Sequence, residues 1–203
     1  MAFAVFYGLA CAQRQCRSQS CHGRLVEDRQ LGGPAHRQGR IGPRLSQAAV
    51  YFMGMMAGRG VGYDRIYPVL VEYARDNPDA NVRQWAVEGM RYLGTDEALD
   101  VLFESFTHDP SDAVRNRAGC NISDCGNFMR KQRMRMVPKF IELVEDPQAT
   151  PLMRNWSFMA LREITDESLP ADAAAWRDWY VQNGTEKMAE FEQMDGWKVR
   201  GDE

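Results

Sequence analysis

A register of twelve residues occurs three times in this chain and limits its fold more than any other feature. The copies run Val82 to Leu93, Val114 to Cys125 and Met153 to Ile164. Each opens on an apolar residue (Val82, Val114, Met153) followed by arginine (Arg83, Arg115, Arg154). Four residues on stands a small side chain (Ala86, Ala118, Ser157), and seven on another small or short one (Gly89, Asn121, Ala160). Met90, Ile122 and Leu161 follow at eight, and Leu93, Cys125 and Ile164 at eleven. These offsets trace one face of an α-helix. Small residues in the middle of the stripe let a neighbouring helix come close. Cys125, at a stripe position, is expected to be a small buried apolar residue. The recurring arginine stands beside the stripe, placed to bond carbonyls or a carboxylate of an adjacent repeat, or to face water.

The copies are spaced by 32 and then 39 residues, room for two helices and two turns per unit. Partner helices are expected over Ile66–Ala74, Ala98–Phe106 and Val137–Val144, each closed by an acidic turn with proline (Asp76-Asn77-Pro78-Asp79, Asp109-Pro110-Ser111-Asp112, Asp146-Pro147). Asp79 is expected to cap the first copy, and Ser111 or Asp112 the second. Pro68 and Pro138 suit first-turn positions of the partner helices. Leu45 to Met56 reads as a degenerate earlier copy, its methionines filling the core beneath one end of a stack or, alternatively, lining a binding groove. Asp172 would start a last helix and Asn183-Gly184 would stop it. Within it Trp176, Trp179 and Tyr180 would cover the final hairpin.

The run Asp-x-x-Val-Arg-x-x-Ala-x-x-x-(Leu/Met)-x-x-Leu-Gly resembles the short HEAT-like repeats, including the phycobilisome-lyase type, over about residues 45–183. Ala160 to Thr165 with Asp172 to Trp179 resembles the closing segment of many HEAT-repeat proteins. The resemblance implies an all-α fold, an α-α superhelix (solenoid) of about four HEAT-like hairpins. It divides the chain into an apolar start and an Arg/Gln/Gly-rich arm (1–44), the repeat domain (45–183) and an acidic tail (184–203). It also implies a non-catalytic protein-binding or scaffold subunit of a larger assembly. The alternative is a lyase-like or other cofactor-handling protein on the same repeats.

Charge is uneven. Residues 1–45 hold seven arginines against Glu27 and Asp28, a local +5, which leaves −8 on the remainder. The arm lacks the aromatics that stack on bases, so protein, not nucleic acid, is the expected partner. Its Gly32-Gly33-Pro34 and Gly42-Pro43 break any helix, so an irregular arm is expected. No apolar run reaches the ~18–20 residues of a membrane span. A cytoplasmic location is expected. The alternative is export, if Met1 to Ala12 is a signal peptide cut before Gln13.

Candidate contacts are few. Arg130, Lys131, Arg133 and Arg135, flanked by methionines, form a basic patch suited to a partner with an acidic contact segment. Trp85, Arg117 and Trp156 share one repeat position and could form a row of partner anchors. No metal site or cofactor is expected. Cys16, Cys21 and His22 are weak candidate ligands, their spacing wider than haem attachment wants. No catalytic residues are assigned. Of the histidines, His22 and His36 lie in the arm and His108 in a turn. The carboxylates Glu88, Asp124 and Glu163 show no acid–base pairing.

Overall fold

A computed structural model describes residues 43–200, with the side chains of 47–196. The expected arm (1–44), Cys16, Cys21, His22 and the proposed cleavage after Ala12 fall outside those residues or, at 43–44, show backbone only. Among the described residues every regular element is helical: α1 (Pro43–Ala57), α2 (Tyr63–Asp76), α3 (Ala80–Met90), α4 (Asp96–His108), α5 (Asp112–Cys120), α6 (Arg130–Met134), α7 (Val137–Glu145), α8 (Pro151–Thr165) and α9 (Ala173–Arg200). A π turn, Asn121–Cys125, continues α5. The pairs α2–α3, α4–α5 and α7–α8 are stacked hairpins, consistent with a HEAT-like solenoid. The second helices pack on one another along the array, α1 on α3, α3 on α5, and α5 with its π turn on α8. The first helices touch less.

The stripe is the core. Val82, Ala86, Met90, Val114, Ala118, Ile122, Met153, Leu161 and Ile164 are all buried. Its small members set how close the helices come. A Cβ on Gly54 would lie 2.2 Å from the Gly89 carbonyl oxygen, so α1 and α3 cross backbone to backbone. Asp79 caps α3 by accepting from the Asn81 N–H at 2.9 Å. Ser111 takes the N-cap position of α5 without a side-chain bond. Pro138 sits in the first turn of α7, but α2 begins at Tyr63, which puts Pro68 inside the helix. Met53 and Met55 are half-buried while Met56 is 48% exposed, so the methionines of α1 are not all core filling.

The recurring arginine takes two of its expected roles. Arg83 donates from Nη1 to the Asn77 carbonyl of its own turn (2.8 Å). It also reaches the next hairpin, with Nε and Nη2 on the two oxygens of Asp109 (2.7 and 2.9 Å). Both partners are buried. Arg115 and Arg154 bond the carbonyls of their own turns, Asp109 at 3.2 Å and Asp146 at 2.9 Å.

The last helix departs from expectation. It starts at Asp172, whose carboxylate accepts from the Ala174 N–H, but it does not stop at Asn183-Gly184. Asn183 turns its amide back to the Trp179 carbonyl at 3.0 Å. Gly184 gives way to the Tyr180 ring, 2.8 Å from where a Cβ would stand. The helix therefore runs on, burying Trp176, Phe191 and Asp195. Trp179 and Tyr180 pack half-buried against the core.

Candidate functional site

The basic patch is matched from within the chain. Arg130 pairs with Asp166 and lies over the Phe191 ring, 5.2 Å from its centroid. Lys131 pairs with Glu192 at 3.2 Å, and Arg135 with Asp96. The buried Asp195 carboxylate accepts from the Arg130 and Lys131 N–H groups (3.3 and 3.0 Å), so α9 caps α6. Lys131 and Arg135 line a shallow open cleft with Asp96, Gln132, Met188 and Glu192, in which both charge signs are balanced. Arg133 is not on the surface at all. It is 8% exposed and donates to the Asp124 carbonyl (2.9 Å), the Gly126 carbonyl and the Phe128 carbonyl (3.3 Å). Its positive charge closes the carbonyl end of the π turn. Arginine there is a local cap, and its three-residue distance from Arg130 gave the misleading look of one continuous patch.

The shared repeat position also splits. Trp85 is 39% exposed and meets the Tyr51 ring edge-on, centroids 5.5 Å apart. Trp156 is half-buried beside Phe106, at 6.5 Å. Arg117 pairs with Glu88 at 3.3 Å. Among the described residues no Trp–Arg stack joins the three.

A different group gathers around Trp85 on the face of the second helices. Tyr51 touches the rings of Phe52 and Tyr92 as well, at 5.8 and 5.5 Å. Its hydroxyl shares a 2.5 Å hydrogen bond with that of Tyr92, which accepts from Arg91 Nη2 at 3.1 Å. Burial, then the hydrogen bond to Tyr92, pushes the Tyr51 hydroxyl up to about 12, so it stays protonated in neutral solution. Glu88 bridges Arg91 (3.0 Å) and Arg117. Phe52 and Met56, one helical turn apart, are 56% and 48% exposed at the edge of this cluster. Tyr51 and Phe52 do not stand out in the sequence because α1 carries no arginine after its start, and Tyr92 joins them only once α1 and α3 have packed. The helix-turn spacing of Phe52 and Met56 was the available signal.

With this geometry in view, residues 43–123 match the model of HEAT repeats. That stretch is a HEAT-type repeat region. No curated protein and no solved structure matches the chain. The HEAT match takes in α1 to α5 and ends at Ser123, inside the π turn.

That turn is where regular repeat geometry breaks. The Gly126 N–H reaches the Asn121 carbonyl at 3.1 Å, five residues back. Asn121 is fully buried and donates its amide to the Val87 carbonyl (3.1 Å), closing the last turn of α3. The extra residue moves Cys125 off the buried stripe. It is half-buried, with its Sγ 2.9 Å from that of Cys120. The hydrogen bond shared with Cys120 lowers the Cys125 thiol to about 7, against burial and Asp124. Glu163, one of the carboxylates weighed for acid–base chemistry, is shifted upward by partial burial and then by Asp124 and Asp166. Among the described residues no group of three or more His, Cys, Asp or Glu is arranged to hold a metal ion. Among them, too, no helix is long and apolar enough to cross a membrane.

Proposed function

We propose that this chain is a non-catalytic protein-binding scaffold, one subunit of a larger assembly, whose partner docks on the second-helix face at the α1–α3 end. The observation that carries this reading is the exposure of Phe52, Met56 and Trp85 around the half-buried Tyr51. Exposed aromatic and methionine side chains at one place are the anchor type that dominates protein interfaces. They stand on helices whose backbones touch at Gly54 and Gly89, so the surface costs little to order when a partner arrives. Arg59, exposed on the turn after α1, and Arg65, exposed in the first turn of α2, form no ion pair among the described residues. They complement a partner segment that sets carboxylates beside an apolar anchor.

The test is purification of the full chain from its native host beside a Phe52→Ala/Trp85→Ala variant. A protein that accompanies the wild type in fixed ratio should be lost about tenfold or more from the variant, with the circular dichroism of the two chains alike. Equal recovery discards this surface. A wild-type chain that emerges with no protein in fixed ratio discards the scaffold reading.

A further inference from the structure

The π turn does something that an α-helix could not do with the same residues. An α-helix turns about 100° per residue, which sets positions five apart about 140° away from each other around the axis. Cys120 and Cys125 are five apart, yet their sulfurs are 2.9 Å from one another. The five-residue backbone bond from the Gly126 N–H to the Asn121 carbonyl brings them onto one side. Both are half-buried, and Asp124 between them is exposed, so the pair is open to a small reagent. A disulfide has its sulfurs about 2.05 Å apart. Closure from the observed separation therefore needs a movement of under about 1 Å.

We propose that Cys120 and Cys125 are a reversible thiol–disulfide pair, oxidised by a hydroperoxide, that locks the π turn when closed. The Cys125 sulfur attacks the peroxide oxygen and the O–O bond breaks. The leaving oxygen takes a proton, and Cys125 is left as a sulfenic acid. The Cys120 sulfur then attacks that sulfur, the S–O bond breaks and water leaves. With hydrogen peroxide the sum is two thiols and one peroxide to one disulfide and two waters, the peroxide taking two electrons. A dithiol reductant returns two electrons and two protons.

The surroundings favour Cys125 as the attacking sulfur. The hydrogen bond it shares with Cys120, then Arg91 from the end of α3 and Arg117 from α5, favour its anion. Asp124 opposes them. Glu88 faces the two arginines, and Glu163 of α8 faces Asp124. Closing the pair would stiffen the junction of three elements. Asn121 holds the end of α3 and Arg133 holds the carbonyls of Asp124 and Gly126. The inference stands apart from the scaffold reading and needs no partner.

Trypsin releases residues 118–130 as one peptide that holds both cysteines and none of the other three. The full chain, treated with hydrogen peroxide and then an alkylating agent, should yield that peptide about 2 Da lighter and unalkylated. A dithiol wash should restore two alkylation sites. Cys120→Ala should slow alkylation of Cys125 near neutral pH about tenfold, and after peroxide it should leave a sulfenic acid that a diketone reagent traps. Two alkylated thiols after peroxide would overturn the proposal. So would a sulfinic acid at Cys125 in the wild type, or a link from either cysteine to Cys11, Cys16 or Cys21.

Discussion

The junction between the first and second complete hairpins and that between the second and third place the same arginine in different surroundings. At the first, Arg83 spans to the next turn and closes a buried two-bond pair with Asp109. At the second, Arg115 bonds its own turn and the exposed Asp112, and its Nε meets no acceptor among the described residues. The difference follows from spacing. The first two copies are 32 residues apart and the next two 39, and the longer unit sets the π turn, a loop and α6 between its two main helices. There a single guanidinium, Arg133, takes over by gathering three carbonyls. The repeat is thus held by a regular cross-link at one junction and by a local cap at the other.

The largest effect should come from Asp109→Ala. It strands a buried arginine, and removing one partner of such a pair costs about 3–5 kcal/mol. Denaturant unfolding of the variant gives the figure directly. Arg115→Ala measured beside it should cost about 1 kcal/mol or less, because its carboxylate partner is exposed. Equal losses for the two would break the comparison. Arg133→Gln should come between them, at about 2 kcal/mol, since three partly or fully buried carbonyl bonds lose their charged donor. Hydrogen exchange should then rise first over residues 121–128, and a uniform rise along the array would mean that Arg133 is no local cap.

The smallest effect sharpens the second junction through pH. The Glu163 carboxyl is raised above its ordinary 4.5 in the folded chain, so the fold binds its proton more tightly than the unfolded chain does. Stability at this site is therefore full below that value and is lost as pH rises through the raised one. Glu163→Gln should match the wild type in acid and gain about 1 °C in Tm at neutral pH, the residue being partly open to solvent. A gain of the same size at every pH would assign the effect to something other than this titration.

Much of the fold could be read from residue types alone. The stripe, the arginine beside it and the acidic proline turns are local patterns, and Arg83 took both the carbonyl and the carboxylate role they suggest. What escaped was tertiary. Arg130, Lys131 and Arg135 look like a free patch until Asp166, Glu192 and Asp96 arrive from elsewhere in the chain. Asn183-Gly184 has the composition of a helix stop, yet burial of Phe191 and Asp195 beyond it outweighs that local preference. Cys125 fits the stripe by counting, and one extra residue in the turn, invisible to counting, sets it against Cys120 instead. Of the site around Trp85, residue type and spacing pick out Trp85, Arg117 and the methionines of α1, whereas Tyr51 and Tyr92 meet Trp85 only after α1 and α3 have packed.

The crossing at Gly54 and Gly89 has a mechanical side. Where two helices meet through side chains, rotamers give under load like padding between rods. Here the main chains bear directly on each other, and such a joint has almost no play. A pull applied along the array would pass through α1 and α3 as through a single strut. It would be spent farther on, where the π turn and the short α6 interrupt the rods, and extension of this solenoid should begin there.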